Sequence, residues 1–176
     1  MSPVYNGTPM LDGTTIGILS DTHGHWADME RAMKELIGGG ARVLVHCGDI
    51  GSIQCMRLLG EVGLEAYAVA GNMDCHIPHL AETAASVGVT FHPRSVEVPI
   101  TDGQFLVATH GHIEHLLDEL LAGEQFPYVC FGHTHRRHDQ HVGRTHVINP
   151  GAVVRADPPT VALLDIASDQ VRFLDL

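Results

Sequence analysis

Basic residues are scarce in this chain of 176 residues. Lys34 is its one lysine, Lys and Arg together number 10 against 21 acidic residues, and the formal net charge is -11. A groove that tracks a long nucleic-acid backbone needs a basic face, so extended nucleic acid is disfavoured as a partner. Long apolar runs are missing too. None reaches the roughly 18 residues that a membrane helix requires, so no membrane association is expected. The four cysteines, Cys47, Cys55, Cys75 and Cys130, form no C-x-x-C pair. That excludes thiolate zinc fingers and argues against a disulfide framework, which fits the cytoplasm. Cys47, Cys55 and Cys130 read as small buried apolar residues, while Cys75 lies beside a suspected site. Residues 1–13 lack the basic end and apolar stretch of a secretory signal and are expected to form a flexible leader. Residues 14–176 are expected to be a single domain.

Histidine is the residue in excess, with 14 in the chain. Hydrophobic periodicity shows where they fall. Thr15 to Leu19, Val43 to His46 and Ala66 to Ala70 read as buried strands, separated by helical patterns over Trp26 to Ile37 and Ser52 to Leu59. That alternation suggests parallel strands joined by crossover helices. The second half is richer in strands: Val89 to His92, Val96 to Ile100, Phe105 to Ala108, Tyr128 to Phe131, Thr145 to Ile148, Val161 to Leu164 and Val171 to Leu174. One amphipathic helix, carrying Ile113, Leu116, Leu117, Leu120 and Leu121, interrupts them. The expected fold is α/β, with two mixed β-sheets packed face to face as a sandwich and helices on both outer faces. Trp26 and Met73 read as packing residues.

Six of these strands end in a short polar loop containing glycine: Ser20-Asp21-Thr22-His23-Gly24, Gly48-Asp49, Gly71-Asn72-Met73-Asp74, His110-Gly111-His112, Gly132-His133-Thr134-His135 and Asn149-Pro150-Gly151. In α/β folds ligands bind beyond the carboxyl ends of strands. Imidazoles and carboxylates converging there favour borderline transition ions over the hard ions Mg²⁺ and Ca²⁺. Asp21 and His23 are two apart, as are His133 and His135, so each pair points one way in an extended segment. Asp49 is the best-placed carboxylate to bridge two metals, and Asn72 offers a neutral carbonyl oxygen. Two divalent ions against two aspartates leave the site positive, so it can hold an anion inside an acidic protein.

Each motif alone is weak, and the ordered series D-x-H, G-D, G-N, H-G-H, G-H-x-H, every member after a strand, is not. An amidohydrolase barrel, which also uses H-x-H, needs roughly 250 residues. A metallo-lactamase-like H-x-H-x-D-H is broken here, because Asp28 lies one place too far along and the following His is absent. His46, inside a strand, reads as a hydrogen-bonded core residue. His79, His92, His115, His138, His141 and His146 read as surface or structural, and Arg136 and Arg137 as solvated.

From Ile16 to Leu164 the ordered motifs resemble the calcineurin-like metallophosphoesterase superfamily, most of all its small single-domain branch of YfcE-like phosphodiesterases. The resemblance implies a four-layer α-β-β-α fold with a dinuclear site at one edge. It implies that Asp21, His23, Asp49 and His135 hold one metal and that Asp49, Asn72, His110 and His133 hold the other. Manganese, iron, nickel or zinc are the usual metals, with manganese favoured. The expected activity is hydrolysis of small anionic phosphodiesters by a metal-bridging hydroxide. A phosphomonoesterase acting on nucleotides or sugar phosphates is the alternative enzyme. A non-catalytic protein-binding scaffold of the same fold is the alternative class, and the presence of all seven candidate ligands argues against it. A homo-oligomer is compatible with either. Many relatives carry Gly-Asn-His-Asp/Glu, whose His protonates the leaving group. Here Met73 stands in that place, so the candidates for the acid are His112, His76 and His25, in that order. Ala152 replaces a Ser common after Asn-Pro-Gly and is not expected to act.

Overall fold

A computed structural model of the protein describes residues 13–101 and 103–176, so the expected leader lies outside the described residues but for Gly13. The first half alternates, with its strands and first two helices where the periodicity predicts them: β1 (Thr15–Leu19), α1 (Trp26–Gly38), β2 (Val43–His46), α2 (Ile53–Glu61), β3 (Glu65–Val69), α3 (Ile77–Val87) and β4 (Thr90–His92). Then come β5 (Ser95–Thr101), β6 (Gln104–Thr109), α4 (Glu114–Ala122), β7 (Tyr128–Cys130), β8 (Arg137–Val142), β9 (Thr145–Pro150), β10 (Thr160–Asp165) and β11 (Gln170–Asp175). One sheet has the order β11-β10-β1-β2-β3-β4 and the other β5-β6-β7-β9-β8. Both are mixed. β1, β2, β3 and β4 run parallel, as do β6, β7 and β9, with antiparallel strands at the flanks.

Two apolar layers follow from strand alternation. Ile16, Ile18, Val45 and Val69 of the first sheet pack against Val98, Leu106, Cys130 and Ile148 of the second. The opposite face of the first sheet, with Leu44, Ala66 and Leu163, packs against Met29, Met33 and Leu36 of α1 and Met56 and Leu59 of α2. Gly17 makes this possible, because a side chain there would crowd Leu44, Ala41 and Leu36. Burying so many aliphatic side chains, at about 25 cal/mol per Å², holds the parallel strands rigid. That rigidity fixes where the strand ends point.

Four sequence expectations change. α3 and β8 were not anticipated. β8 reads Arg-His-Asp-Gln-His-Val and is almost wholly exposed, so an edge strand has no apolar alternation to betray it. α3 opens with Pro78 in its first turn and buries only Leu80, Thr83 and Ala84, too few apolar positions for a clear stripe. Trp26 and Met73 are not packing residues, being 53% and 52% exposed.

Candidate metal centre

The loops after β1 and β2 are zipped together by backbone bonds, with the amides of Asp21, His23 and Gly24 donating to the carbonyls of Gly48, Asp49 and Ile50 at 2.9–3.0 Å. Beneath them lies a neutral relay. The Gly48 amide donates to His46 Nδ1 (3.2 Å), so Nε2 carries the proton and donates to Thr22 Oγ1 (3.0 Å), whose hydroxyl donates to the Ile50 carbonyl (3.0 Å). Complete burial, with His110 nearby, pushes the His46 pKa down to about 3. His46 is therefore the structural core residue expected from its place in a strand.

Asp74 binds the next loop in. Its carboxylate accepts from the amides of Gly71 (2.8 Å), Ile50 (3.1 Å) and Gly51 (2.7 Å), joining the ends of β2 and β3. Gly71 is required beside it, since a Cβ there would overlap the Asp49 carboxylate. Gly132 meets the same condition after β7, where a Cβ would overlap Ser20 Oγ. Asn149 braces that loop, donating to the Gly132 carbonyl (2.7 Å) and to Thr134 Oγ1 (3.2 Å) while accepting from the Gly151 amide. Ala152 is fully buried, in keeping with a packing role.

The seven candidate ligands meet at this end of the sandwich. Asp21 and Asp49 are almost completely buried. Asp49 Oδ2 stands 3.8 Å from His23 Nδ1, and its Oδ1 stands 3.5 Å from His110 Nε2. Asp21 Oδ1 lies 3.1 Å from His135 Nε2 and 3.9 Å from His23 Nε2, yet it is buried with no hydrogen-bond partner. Asp21 Oδ2 accepts from the His133 amide at 3.2 Å. The ring of His133 stacks edge-on to His110, 5.1 Å between centroids. Ligand atoms of Asp21, His23 and His135 fall within 4.8 Å of one another, and so do those of Asp21, Asp49 and His110.

Two imidazoles have their tautomers fixed from behind. His110 Nδ1 donates to the Cys47 carbonyl (2.8 Å), and His135 Nδ1 donates to the Arg155 carbonyl (3.2 Å). Each is left with an unprotonated Nε2 aimed into the site when neutral, the arrangement that metal-binding histidines adopt. His110 Nε2 then faces the Asn72 carbonyl oxygen at 3.1 Å, and His135 Nε2 faces His23 Nε2 at 3.4 Å. The acceptor pair at His110 and Asn72, together with the orphaned Asp21 oxygen, is what a cation resolves. The residues present fit a divalent transition-metal centre.

Charge follows this geometry. Burial works to raise the Asp49 pKa, but the imidazole of His110 and the Met73 amide outweigh it and hold the group down at about 2. Burial works to lower that of His110, and the bonds to Asp49 and the Cys47 carbonyl outweigh it, so the net shift is upward. His23 is lowered, first by burial.

The backbone marks the same residues. Among the described residues eight that are not glycine have positive φ, and five of them are Asp21 (58°), His23 (45°), Asp49 (55°), His133 (65°) and His135 (57°). Such conformations cost free energy and gather at functional sites. A sixth is Arg155 (59°), which sequence reading did not single out. Its guanidinium stands 3.5 Å from His23 Nδ1 at the rim. Arg137, by contrast, pairs with Asp175 at 3.0 Å.

The three acid candidates part company here. His112 sits with the cluster, its ring 5.3 Å from that of His110 and 6.3 Å from that of His133, and its buried Nδ1 has no partner. Burial, then the two neighbouring imidazoles, lowers its pKa. His76 lies on the wall of a 320 Å³ cleft with Ile53, Met73 and Cys75. His25 is exposed beside Asp28, 3.6 Å away. Of the thiols, Cys75 alone is exposed, and Cys47, Cys55 and Cys130 are buried as their sequence context suggested.

Comparison with known proteins agrees with the geometry. The sequence profile of the calcineurin-like phosphoesterase superfamily domain matches residues 15–169. Phosphodiesterase MJ0936 of Methanocaldococcus jannaschii is 29% identical over 160 residues, which span 89% of this chain and 96% of that protein. A solved archaeal phosphodiesterase superimposes with a TM-score of 0.84 at 28% identity, over 93% of this chain and 100% of its own. YfcE, a phosphoesterase from E. coli, shares the fold with a TM-score of 0.64 at 22% identity, over 92% and 99% of the two chains. By the span of that profile, the chain belongs to the calcineurin-like phosphoesterase superfamily.

Proposed function

We propose that this protein is a dinuclear-metal-dependent phosphodiesterase acting on small anionic diesters. The observation that carries the reading is the Asp49 carboxylate, whose two oxygens face different halves of the ligand set, His23 on one side and His110 on the other. Asp21, His23, Asp49 and His135 would hold one ion, and Asp49, Asn72, His110 and His133 the second. Manganese is the expected metal, with iron, nickel and zinc as substitutes. Bound there, the metal pair supplies a hydroxide nucleophile at neutral pH and neutralises charge on phosphorus-bound oxygens. Free buried thiols fit a reducing compartment, and we place the protein in the cytoplasm.

The chain's own residues do the rest. Arg155 at the rim offers a bidentate cation to a phosphate oxygen. His112, kept neutral by burial and its neighbours, donates a hydrogen bond to the phosphoryl group better than it gives up a proton. The ester's organic group rests against Met73 and Ile53 in the cleft. The Met73 amide donates to Asp49 Oδ1 (2.8 Å), so this apolar side chain starts at the reacting centre. With Met73 where relatives carry an acid, protonation of the leaving group falls to His76 on the cleft wall or to water, and His25 ranks last because it turns to Asp28.

A screen of aryl and alkyl diesters and of monoesters, with metal analysis of the purified protein, tests this. We expect aryl diesters to be hydrolysed, alkyl diesters slowly, and close to two ions per chain at the centre. Equal rates on alkyl and aryl esters overturn the missing acid. Faster turnover of nucleotide or sugar monoesters overturns the diesterase assignment.

A further inference from the structure

A second group of histidines and aspartates lies at the opposite end of the sandwich. β9 begins at Thr145 and ends at Asn149-Pro150 beside the metal centre, so His146 is at its far end. His141 of β8 is directly across the ladder from His146, and their rings stack at 4.1 Å. Asp169 reaches them from the turn between β10 and β11, which belongs to the other sheet. Its two carboxylate oxygens divide between the histidines: Oδ1 is 2.7 Å from His146 Nδ1, and Oδ2 is 3.1 Å from His141 Nε2.

We propose that His141 Nε2, His146 Nδ1 and the Asp169 carboxylate form a separate binding site for a divalent transition ion, zinc or nickel by its chemistry, that ties the two sheets together. Two imidazoles and a carboxylate are a donor set that borderline ions prefer. The three ligand atoms lie within 4.8 Å of one another. An ion with tetrahedral bonds of about 2.0–2.1 Å spaces its ligands by roughly 3.3 Å, so the group need open by only about half an ångström. Asp139 makes this more than a surface ion pair. Its Oδ1 is 2.6 Å from His146 Nε2, so it would hold the Nε2 proton while an ion replaces the proton between Nδ1 and Asp169, making Nδ1 the ligand atom. A carboxylate behind the ring is the orienting partner that metal-ligating histidines carry. His146 is 3% exposed and held from both sides, while the side chains of His141 and Asp169 are each about half exposed and give an ion a way in.

Zinc or nickel binding to the full-length protein, counted by metal analysis after dialysis, tests this against His141→Ala and Asp139→Asn. The wild type should hold one ion per chain more than His141→Ala, and Asp139→Asn should keep that ion with affinity about 10–100-fold weaker. Added zinc should also raise the melting temperature of the wild type above that of His141→Ala by a few degrees, roughly. Both variants should hydrolyse phosphodiesters as the wild type does, which separates this outcome from any failure of the catalytic centre. Equal metal counts in wild type and His141→Ala overturn the proposal and leave an ion-pair network only.

Discussion

Histidine and aspartate gather at both ends of this sandwich, and the two gatherings are built differently. At the loop end, His110 and His135 are tied from behind by backbone carbonyls, and the free nitrogen of His110 meets another acceptor, the Asn72 carbonyl oxygen. Asp21 Oδ1 is buried with no partner at all. At the far end each nitrogen of His146 already has a carboxylate. The loop end is frustrated without a cation, whereas the far end can satisfy itself with a proton and must exchange that proton for a metal. The loop end also carries left-handed backbone at five candidate ligands, strain that the surrounding sheet must hold in place. The lesson is that a list of ligand types does not rank sites. The direction in which each lone pair is left pointing does.

The sharpest way to break this comparison is Asp49→Ala. If the two halves of the centre share that carboxylate, its loss should remove one or both ions and cut turnover of an aryl diester by on the order of 10³, the equivalent of about 4 kcal/mol of transition-state stabilisation. Metal content and rate measured on one preparation check it. A variant that keeps two ions and most of its activity would falsify the bridging role. At the far end His141→Ala should leave that rate unchanged.

His46→Ala comes next and asks what holds the loop end in its strained form. The wholly buried imidazole donates to Thr22 and accepts from Gly48. Its removal leaves a cavity and an orphaned Gly48 amide, while Thr22 keeps its bond to Ile50, together about 3 kcal/mol of lost stability in urea unfolding. A loss below about 1 kcal/mol would mean that the backbone zipper between the β1 and β2 loops holds the loops alone.

How much of this could be read beforehand depends on where each residue gets its information. The core strands of the first sheet announced themselves as short apolar runs, and β1 and β2, buried on both faces, fall where those runs put them. The polar loops were legible because their glycines and ligand types recur in fixed order after strands. β8 was not, since an exposed edge strand is specified by its partner β9 rather than by its own pattern. Met73 and Trp26 looked like core because they are large and apolar, but the core is set by which face a position occupies, and both face solvent near the centre. The role of Asp74 as a triple acceptor of loop amides needed three dimensions, though the residue stands inside the Gly71-Asn72-Met73-Asp74 loop. His141 and His146 looked like scattered histidines, because only the β8–β9 register and a turn in the other sheet bring them to Asp169.

Arg155 belongs to the same class and gives the smallest expected effect. No motif surrounds it, yet its backbone carbonyl fixes His135 and its guanidinium reaches the rim beside His23. Side chain and backbone can be separated by Arg155→Asn, because asparagine tolerates the left-handed φ of 59° and retains the carbonyl. If the guanidinium holds a phosphate oxygen in the bound substrate, KM should rise about 10-fold with kcat changed little, as expected for loss of one charge-assisted contact made equally in ground and transition states. Arg137→Ala is the control, since that guanidinium is spent on Asp175 and should leave KM unchanged. An equal rise in KM for both variants would point to the overall charge of the rim. No change in either would confine Arg155 to bracing His135 through its backbone.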